Sequence, residues 1–262
     1  MIRVGVFGAG GRMGSTVCRA VHEAADLELV AAVDPFHSGI DLQQLGVSGT
    51  QIQVAAKPDA FEAAAADVAV DFTVAEAARE NLRWCAAHGV HAVVGTSGFV
   101  DDELAEFADL FAAGEANAVI APNFAIGAVL MTRFAELAAP FFESAEIIEL
   151  HHENKVDAPS GTAMHTAQRM AAASKEWLDD PTTKLVATGA RGGIVDGIPI
   201  HAVRLRGFVA HQEVILGTTG QTLTIRHDTI DRSSFMPGVL LAIRKVVDTP
   251  GLTVGLDHLL GL

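Results

Sequence analysis

Between residues 2 and 121, short apolar runs alternate with amphipathic stretches of helical length, and this alternation constrains the fold more than any other feature of the chain. The runs 2–7, 27–33, 68–72, 91–94 and 118–121 are too short for helices and rich in the β-branched residues that suit pleated backbone. Residues 13–24, 75–88 and 101–113 have helical periodicity, and weaker structure is expected over 52–64. Consecutive strands separated by helices pair in parallel through crossovers. The pattern therefore predicts right-handed βαβ units and a parallel sheet.

Beyond residue 123 the pattern changes. A helix over 125–139, a long strand over 145–152 and a helix over 163–174 precede three alternating runs at 198–206, 209–216 and 222–229. Gly207-Phe208 and the stretch GTTGQ (217–221) are turn signals between these runs. The result reads as an open, mostly antiparallel sheet whose free apolar face needs helices or another subunit's sheet as cover. A helix over 238–247 and a polar-poor tail follow. Residues 178–197 read as a loop-rich, mobile segment.

At 262 residues, half of them hydrophobic, the chain can bury a substantial core in one large domain or two modest ones. No apolar run reaches the length of a membrane span, since Asp67 and Asp71 interrupt the Ala/Val-rich segments. The start, MIRVGVFGAG, lacks a secretory apolar region, so the chain reads as cytoplasmic. The two cysteines, Cys18 and Cys85, sit in helical stretches and read as small core residues. A net charge of −14 argues against nucleic acid, so any anion must meet a local positive site.

One such site is the turn GVFGAGGRMG (5–14), which follows the first strand and opens the first helix. Glycine admits a tight turn and a close approach to pyrophosphate, and the helix N-terminus offers N–H groups and a favourable dipole. The spacing is G-x-x-G-x-x-G, with Gly8, Gly11 and Gly14, because Met13 stands where G-x-G-x-x-G needs its last glycine. A glycine loop alone also fits a flexible turn. Asp34, twenty positions after Gly14 at the end of the second strand, strengthens the nucleotide reading as a partner for the ribose hydroxyls. Its carboxylate repels a 2′-phosphate, and Pro35 and Phe36 supply no cation. This favours NADH, and Arg12 and His37 leave NADPH open. Phe72-Thr73, Gly95-Thr96-Ser97 and Asn123 likewise fall at strand ends, where open α/β sheets bind ligands.

A second site is HHENKVDAPSGTA (151–163). His151 and His152 end a strand, Lys155 follows in a loop, and Ser160, Gly161 and Thr162 precede an Ala-rich helix. The backbone there can take a carboxylate, while Lys155 and a histidine hold a second group or deliver a proton. A polar loop with no special role is the plainer alternative. Zinc is not favoured: adjacent histidines diverge on a strand, and neither HExxH nor a suitable third ligand is present. We expect no metal.

GAGGRMG, DFT, GTSGF, APNFAIG, the histidine block and the late DRSSFMPG together resemble the dihydrodipicolinate reductase (4-hydroxy-tetrahydrodipicolinate reductase) family, in order and over almost the whole chain. The resemblance implies an α/β fold. A Rossmann-like dinucleotide-binding domain would comprise 1–123 and 233–262, and an α+β domain would span 124–232 with an open mixed, mostly antiparallel sheet used for tetramerisation. It implies that His151 donates and accepts a proton, that Lys155 donates one, and that His152, Ser160, Gly161 and Thr162 bind a dicarboxylate. Gly8, Ala9, Gly10, Gly11, Arg12, Met13, Gly95, Thr96, Ser97, Ala121, Pro122, Asn123 and Phe124 match cofactor-binding segments. Ser97 replaces a frequent second threonine, and Asn154 replaces the third histidine of the family's block, so no role of that histidine carries over.

The implied chemistry is hydride transfer from NAD(P)H to a cyclic imine, then protonation by His151 or Lys155, in diaminopimelate and lysine synthesis. Which of the two acts first stays open. Domain closure about hinges near residues 123 and 232 is expected. Two rivals remain: a dehydrogenase of sugars or aldehydes, and a non-catalytic dinucleotide sensor. The sensor has no need of His151, Lys155 and the Gly161-Thr162 clamp together.

Overall fold

In chain order the computed structural model, which describes residues 1–262, begins with β1 (Ile2–Phe7), α1 (Arg12–Glu23), β2 (Leu27–Val33), α2 (Asp59–Ala63), β3 (Val68–Asp71), α3 (Ala75–Ala87), β4 (His91–Val94), α4 (Asp101–Ala113) and β5 (Ala118–Ile120). It continues with α5 (Ile126–Ala138), β6 (Ser144–His151), α6 (Gly161–Ala173), β7 (Gly193–Val195), β8 (Ile198–Arg204), β9 (Ala210–Thr218) and β10 (Gln221–Thr229), and closes with α7 (Met236–Val246), β11 (Leu252–Val254) and α8 (Asp257–Leu260). Two units result: residues 1–124 with 235–262, and residues 125–234.

The first unit holds a six-stranded, all-parallel sheet in the order β11-β5-β4-β3-β1-β2. Its strands carry apolar residues on both faces because both are covered: Val6, Val70 and Val93 on one face and Phe7, Ala69 and Val94 on the other are all buried. Helix α1 buries Val17, Cys18 and Val21, spaced three and four apart, and α4 buries Phe107 and Phe111. Burial pushes the Cys18 thiol up to about 12, as expected of an inert core residue. The chain leaves β1 outward to β2 and returns to β3 on β1's other side, so the strand order reverses beside β1.

The last strand of this sheet, β11, lies in the segment read from sequence as a plain tail. Three residues carry no periodicity of their own. Asn117 holds the segment in place: its side-chain amide donates to Val246 O at 2.9 Å, and its Oδ1 accepts from Gly251 N at 3.0 Å.

The second unit holds a five-stranded sheet in the order β10-β9-β6-β8-β7, with β6 and β8 parallel and the other pairs antiparallel. Two expectations need correction here. Gly207-Phe208 does not close a hairpin, because β6 lies between β8 and β9; the connection passes the end of β6, where Leu205 N donates to His151 O at 3.0 Å. Residues 178–197 are not all loop, since β7 pairs with β8 through a turn at Asp196 (φ 48°) and Gly197 (φ 87°). An Asp-Gly pair is the strongest short hairpin signal, because both central residues need positive φ.

One face of this sheet packs Ile147, Ile198, Ile200, Val214 and Leu216 against Met131 and Ala135 of α5 and Ala163, Ala167 and Met170 of α6. The opposite face presents Glu146, Ile148, Leu150, Val203 and Ile215, all partly exposed.

Candidate active site

At the carboxyl end of β1 the backbone turns through Gly8, whose φ of +64° suits glycine. Packing also demands small residues there. A Cβ at Gly14 would stand 2.0 Å from Gly8 O, and one at Gly10 would stand 2.2 Å from the His37 ring. Buried Ala9, together with Gly10 and Gly11, leads into α1, which starts at exposed Arg12 followed by Met13. That helix has neither a side-chain cap nor an acidic residue in its first turn. Its positive end is left for an external anion, so a dinucleotide pyrophosphate fits.

Asp34 is buried where β2 ends, and it is bound to the glycine turn. Its Oδ2 accepts from Gly10 N at 3.0 Å and its Oδ1 from Phe36 N at 3.0 Å. His37 Nδ1 lies 3.1 Å from the same carboxylate without hydrogen-bond alignment. The second strand and the glycine turn are therefore linked through one side chain.

The neighbouring strand ends form a connected group. Thr96 Oγ1 donates to Thr73 O at 3.0 Å, and a Cβ at Gly8 would meet Thr73 Cγ2 at 2.9 Å. Gly95 has no room for a Cβ, because the Phe72 ring would be 2.0 Å away, and Phe72 in turn packs on buried Phe124 with ring centroids 5.6 Å apart. Ser97 and Pro122 are exposed, Asn123 is half-buried, and Ala121 is buried. Sequence reasoning missed the organiser of this end, Asp71. Its Oδ1 accepts from Thr73 N at 2.7 Å and Thr73 Oγ1 at 2.6 Å, and its Oδ2 from Asn81 at 2.7 Å. Burial pushes the Asp71 carboxyl up, against the lowering effect of those bonds from Thr73 and Asn81. An acidic residue at the end of an otherwise apolar run was the available signal.

In the second unit, β6 ends at His151, and His152 lies beyond the strand with an exposed side chain. The His152 carbonyl accepts from Lys155 N at 3.2 Å, closing a turn. Lys155 Nζ then donates to Asp157 Oδ1 at 2.7 Å. A cis Ala158–Pro159 bond leads into α6. Ser160 caps that helix, its hydroxyl accepting from Ala163 N at 3.2 Å, and Gly161 and Thr162 form its first turn, which contains no acidic residue.

The centre of this group is Glu149, which sequence reasoning also missed. It is 0% exposed. Its Oε2 accepts from His151 Nδ1 at 2.5 Å and from Arg204 at 2.8 Å, and its Oε1 accepts from Arg204 at 2.8 Å and Ser160 N at 3.1 Å. Arg204 also donates to Asp157 O at 2.7 Å. Burial raises the Glu149 carboxyl, yet hydrogen bonds and charge from His151 and Arg204 outweigh it and hold the group at about 2. The sequence signal was position: residue 149 shares a strand face with residue 151. The structure thus brings His151 and Ser160 onto one carboxylate and Lys155 beside Asp157; no hydrogen bond ties the His152 side chain to them.

Family models cover nearly all of the chain: one described as "Dihydrodipicolinate reductase, N-terminus" matches residues 2–124, and "Dihydrodipicolinate reductase, C-terminus" matches 127–260. The chain is 53% identical over 266 residues to the 4-hydroxy-tetrahydrodipicolinate reductase of Cutibacterium acnes, covering 100% of both sequences. It is 52% identical to that of Streptomyces coelicolor, covering 100% of this chain and 98% of the relative. A solved dipicolinate-bound dihydrodipicolinate reductase from Paenisporosarcina superposes with a TM-score of 0.86 at 40% identity, over 98% of this chain and 99% of that one.

Proposed function

Because the chain belongs to the dihydrodipicolinate reductase family, we propose that it reduces the cyclic imine derived from 4-hydroxy-tetrahydrodipicolinate to tetrahydrodipicolinate. It is a nicotinamide-dependent oxidoreductase of diaminopimelate and lysine synthesis. The observation that carries the reading is the Glu149-centred group, which sets an imidazole and the N-terminus of a helix on one buried carboxylate. A relative of the same fold is described as dipicolinate-bound, and a cyclic dicarboxylate suits that pairing of proton source and anion grip.

The nicotinamide, when bound, supplies the hydride. The Gly8–Gly11 turn and α1 would hold the pyrophosphate, with Phe72, Thr73, Gly95, Thr96, Ser97 and residues 121–124 toward the nicotinamide half. The opening of α6 at Gly161-Thr162 would take one substrate carboxylate, and His152 and Lys155 would offset the other. His151 and Lys155 deliver the proton that follows the hydride. Asp34 tilts the choice toward NADH, since a carboxylate at the ribose position repels a 2′-phosphate. No helix is long and apolar enough to cross a membrane; the reductase reading itself would place the chain in the cytoplasm. The partly apolar face with Ile148, Leu150 and Ile215 would pair with further copies in a homotetramer.

The direct test couples the purified protein to a synthase that generates the imine and follows NADH and NADPH absorbance. Oxidation of neither cofactor sinks the reading. Replacing His151 and Lys155 together should abolish turnover while NADH affinity stays within about twofold; a collapse of NADH binding would move the block out of the catalytic role.

A further inference from the structure

Glu149 stands out on the covered face of its sheet. Along β6 its same-face neighbours toward the strand start are Ala145 and Ile147, both buried in the apolar core. A buried ion pair in such a place is a weak stabiliser, because desolvation offsets most of its attraction, and apolar residues would pack there without that cost. The pair must then be explained by what it positions.

We propose that Glu149 is the positioning residue of the reductase site: its carboxylate holds His151 as the Nδ1–H tautomer, leaves Nε2 as the proton-exchanging atom, and docks the capping residue of α6 on the same group. The inference rests on the reductase reading for its consequences in turnover, whereas the tautomer stands on geometry.

Every contact to Glu149 comes from a donor. Arg204 is a permanent cation, and it reaches both oxygens at 2.8 Å. Ser160 contributes a backbone N–H at 3.1 Å. The fourth contact, His151 Nδ1 at 2.5 Å, faces a carboxylate that these partners keep ionised, so Nδ1 must carry hydrogen. Nε2 is then an acceptor in the neutral ring and a donor in the charged one, which is what a residue that gives and regains a proton requires. An orienting carboxylate on the distal nitrogen serves catalytic histidines on unrelated folds in this way. Here the carboxylate does a second task. Because Oε1 also receives Ser160 N, the proton source and the anion-binding helix are placed by one rigid group rather than by two independent loops.

The test uses the full-length protein labelled with ¹⁵N-histidine, the His151 resonance being assigned by its loss in His151→Asn. Under conditions where the ring is neutral, the expected spectrum has Nδ1 protonated and Nε2 bare; a ring with Nε2 protonated overturns the proposal. In Glu149→Gln, whose amide oxygen keeps an acceptor for Arg204 and Ser160 while its NH2 turns a donor toward Nδ1, the neutral ring should shift to the Nε2–H tautomer. Turnover (kcat) with the enzymatically generated imine should fall on the order of 10²-fold or more, with NADH affinity within about twofold and a smaller change in the imine KM. A variant that keeps kcat within about twofold counts equally against the idea. Should Glu149→Gln fail to fold, the wild-type spectrum still decides. If the wild-type protein does not reduce the imine, the reductase reading falls, and the spectrum judges the positioning on its own.

Discussion

Arg204 of β8 grips the Glu149 carboxylate of β6 with both terminal guanidinium nitrogens, each 2.8 Å from its own oxygen. The parallel register that sets Arg204 beside His151 makes this grip geometrically fixed. Bidentate pairing adds direction to attraction, and it leaves His151 and Ser160 to complete the remaining positions on the carboxylate.

Removing one partner of this pair should cost more than the pair contributes. In Arg204→Met the buried carboxylate loses its cation, and the expected loss of unfolding free energy at neutral pH is about 3–5 kcal/mol. Urea denaturation measures it. A loss below about 1 kcal/mol would mean that water reaches Glu149.

The same carboxylate predicts an acid limb of stability. Its folded value is lowered from 4.5 to about 2, so its contribution is complete above 4.5 and is lost as the pH falls from there through about 2. Unfolding free energy should decline across that window in the wild-type protein and decline less steeply in Glu149→Gln. Parallel curves would refute the assignment.

Two glycines of the nucleotide turn should respond differently to alanine. At Gly14 the new Cβ meets the Gly8 carbonyl, which is backbone and cannot swing away. Gly14→Ala should lose about 1–3 kcal/mol and bind NADH at least about tenfold more weakly. At Gly10 the clash is with the His37 ring. Adding His37→Ala to Gly10→Ala should therefore restore much of the affinity, as read by fluorescence titration of NADH.

Cofactor choice should follow the charge on Asp34. Asp34→Asn keeps an acceptor for Gly10 N, gives up the one for Phe36 N, and removes the negative charge at the proposed ribose position. The ratio of kcat/KM for NADPH over NADH should rise about tenfold, which corresponds to about 1.4 kcal/mol. An unchanged ratio would shift the choice to other residues.

The cap of α6 should be worth its usual amount. Ser160→Ala removes the hydroxyl that accepts from Ala163 N but keeps the backbone N–H given to Glu149. About 1 kcal/mol of stability should go, together with a rise in the imine KM; kcat should move less, because His151 keeps its partner. A fall in kcat alone would contradict this division of tasks.

Local pattern carried far in this chain. The strands at 27–33 and 91–94 and the helix at 101–113 stand where periodicity placed them, because buried parallel strands and one-sided helices must advertise their faces in sequence. The resemblance through GAGGRMG and HHENKVDAPSGTA led to the family that the full-length comparisons show. What local pattern could not carry were relations between distant segments. Leu252–Val254 becomes a strand only because β5 offers it an edge. The runs flanking Gly207-Phe208 look like a hairpin until β6 takes the place between them.

By itself the sequence determined the alternating first half, the glycine turn with Asp34, and the presence of two histidines, a lysine and a capping serine in one block. Those are short-range properties, set by periodicity and by which residue types can turn, cap or carry a proton. Only the tertiary structure decided that Glu149 and Arg204, 55 residues apart, meet on adjacent strands and share one carboxylate with His151 and Ser160. A buried charge is tolerated only where its partners converge, and that convergence is a product of sheet register, which no short window of sequence contains.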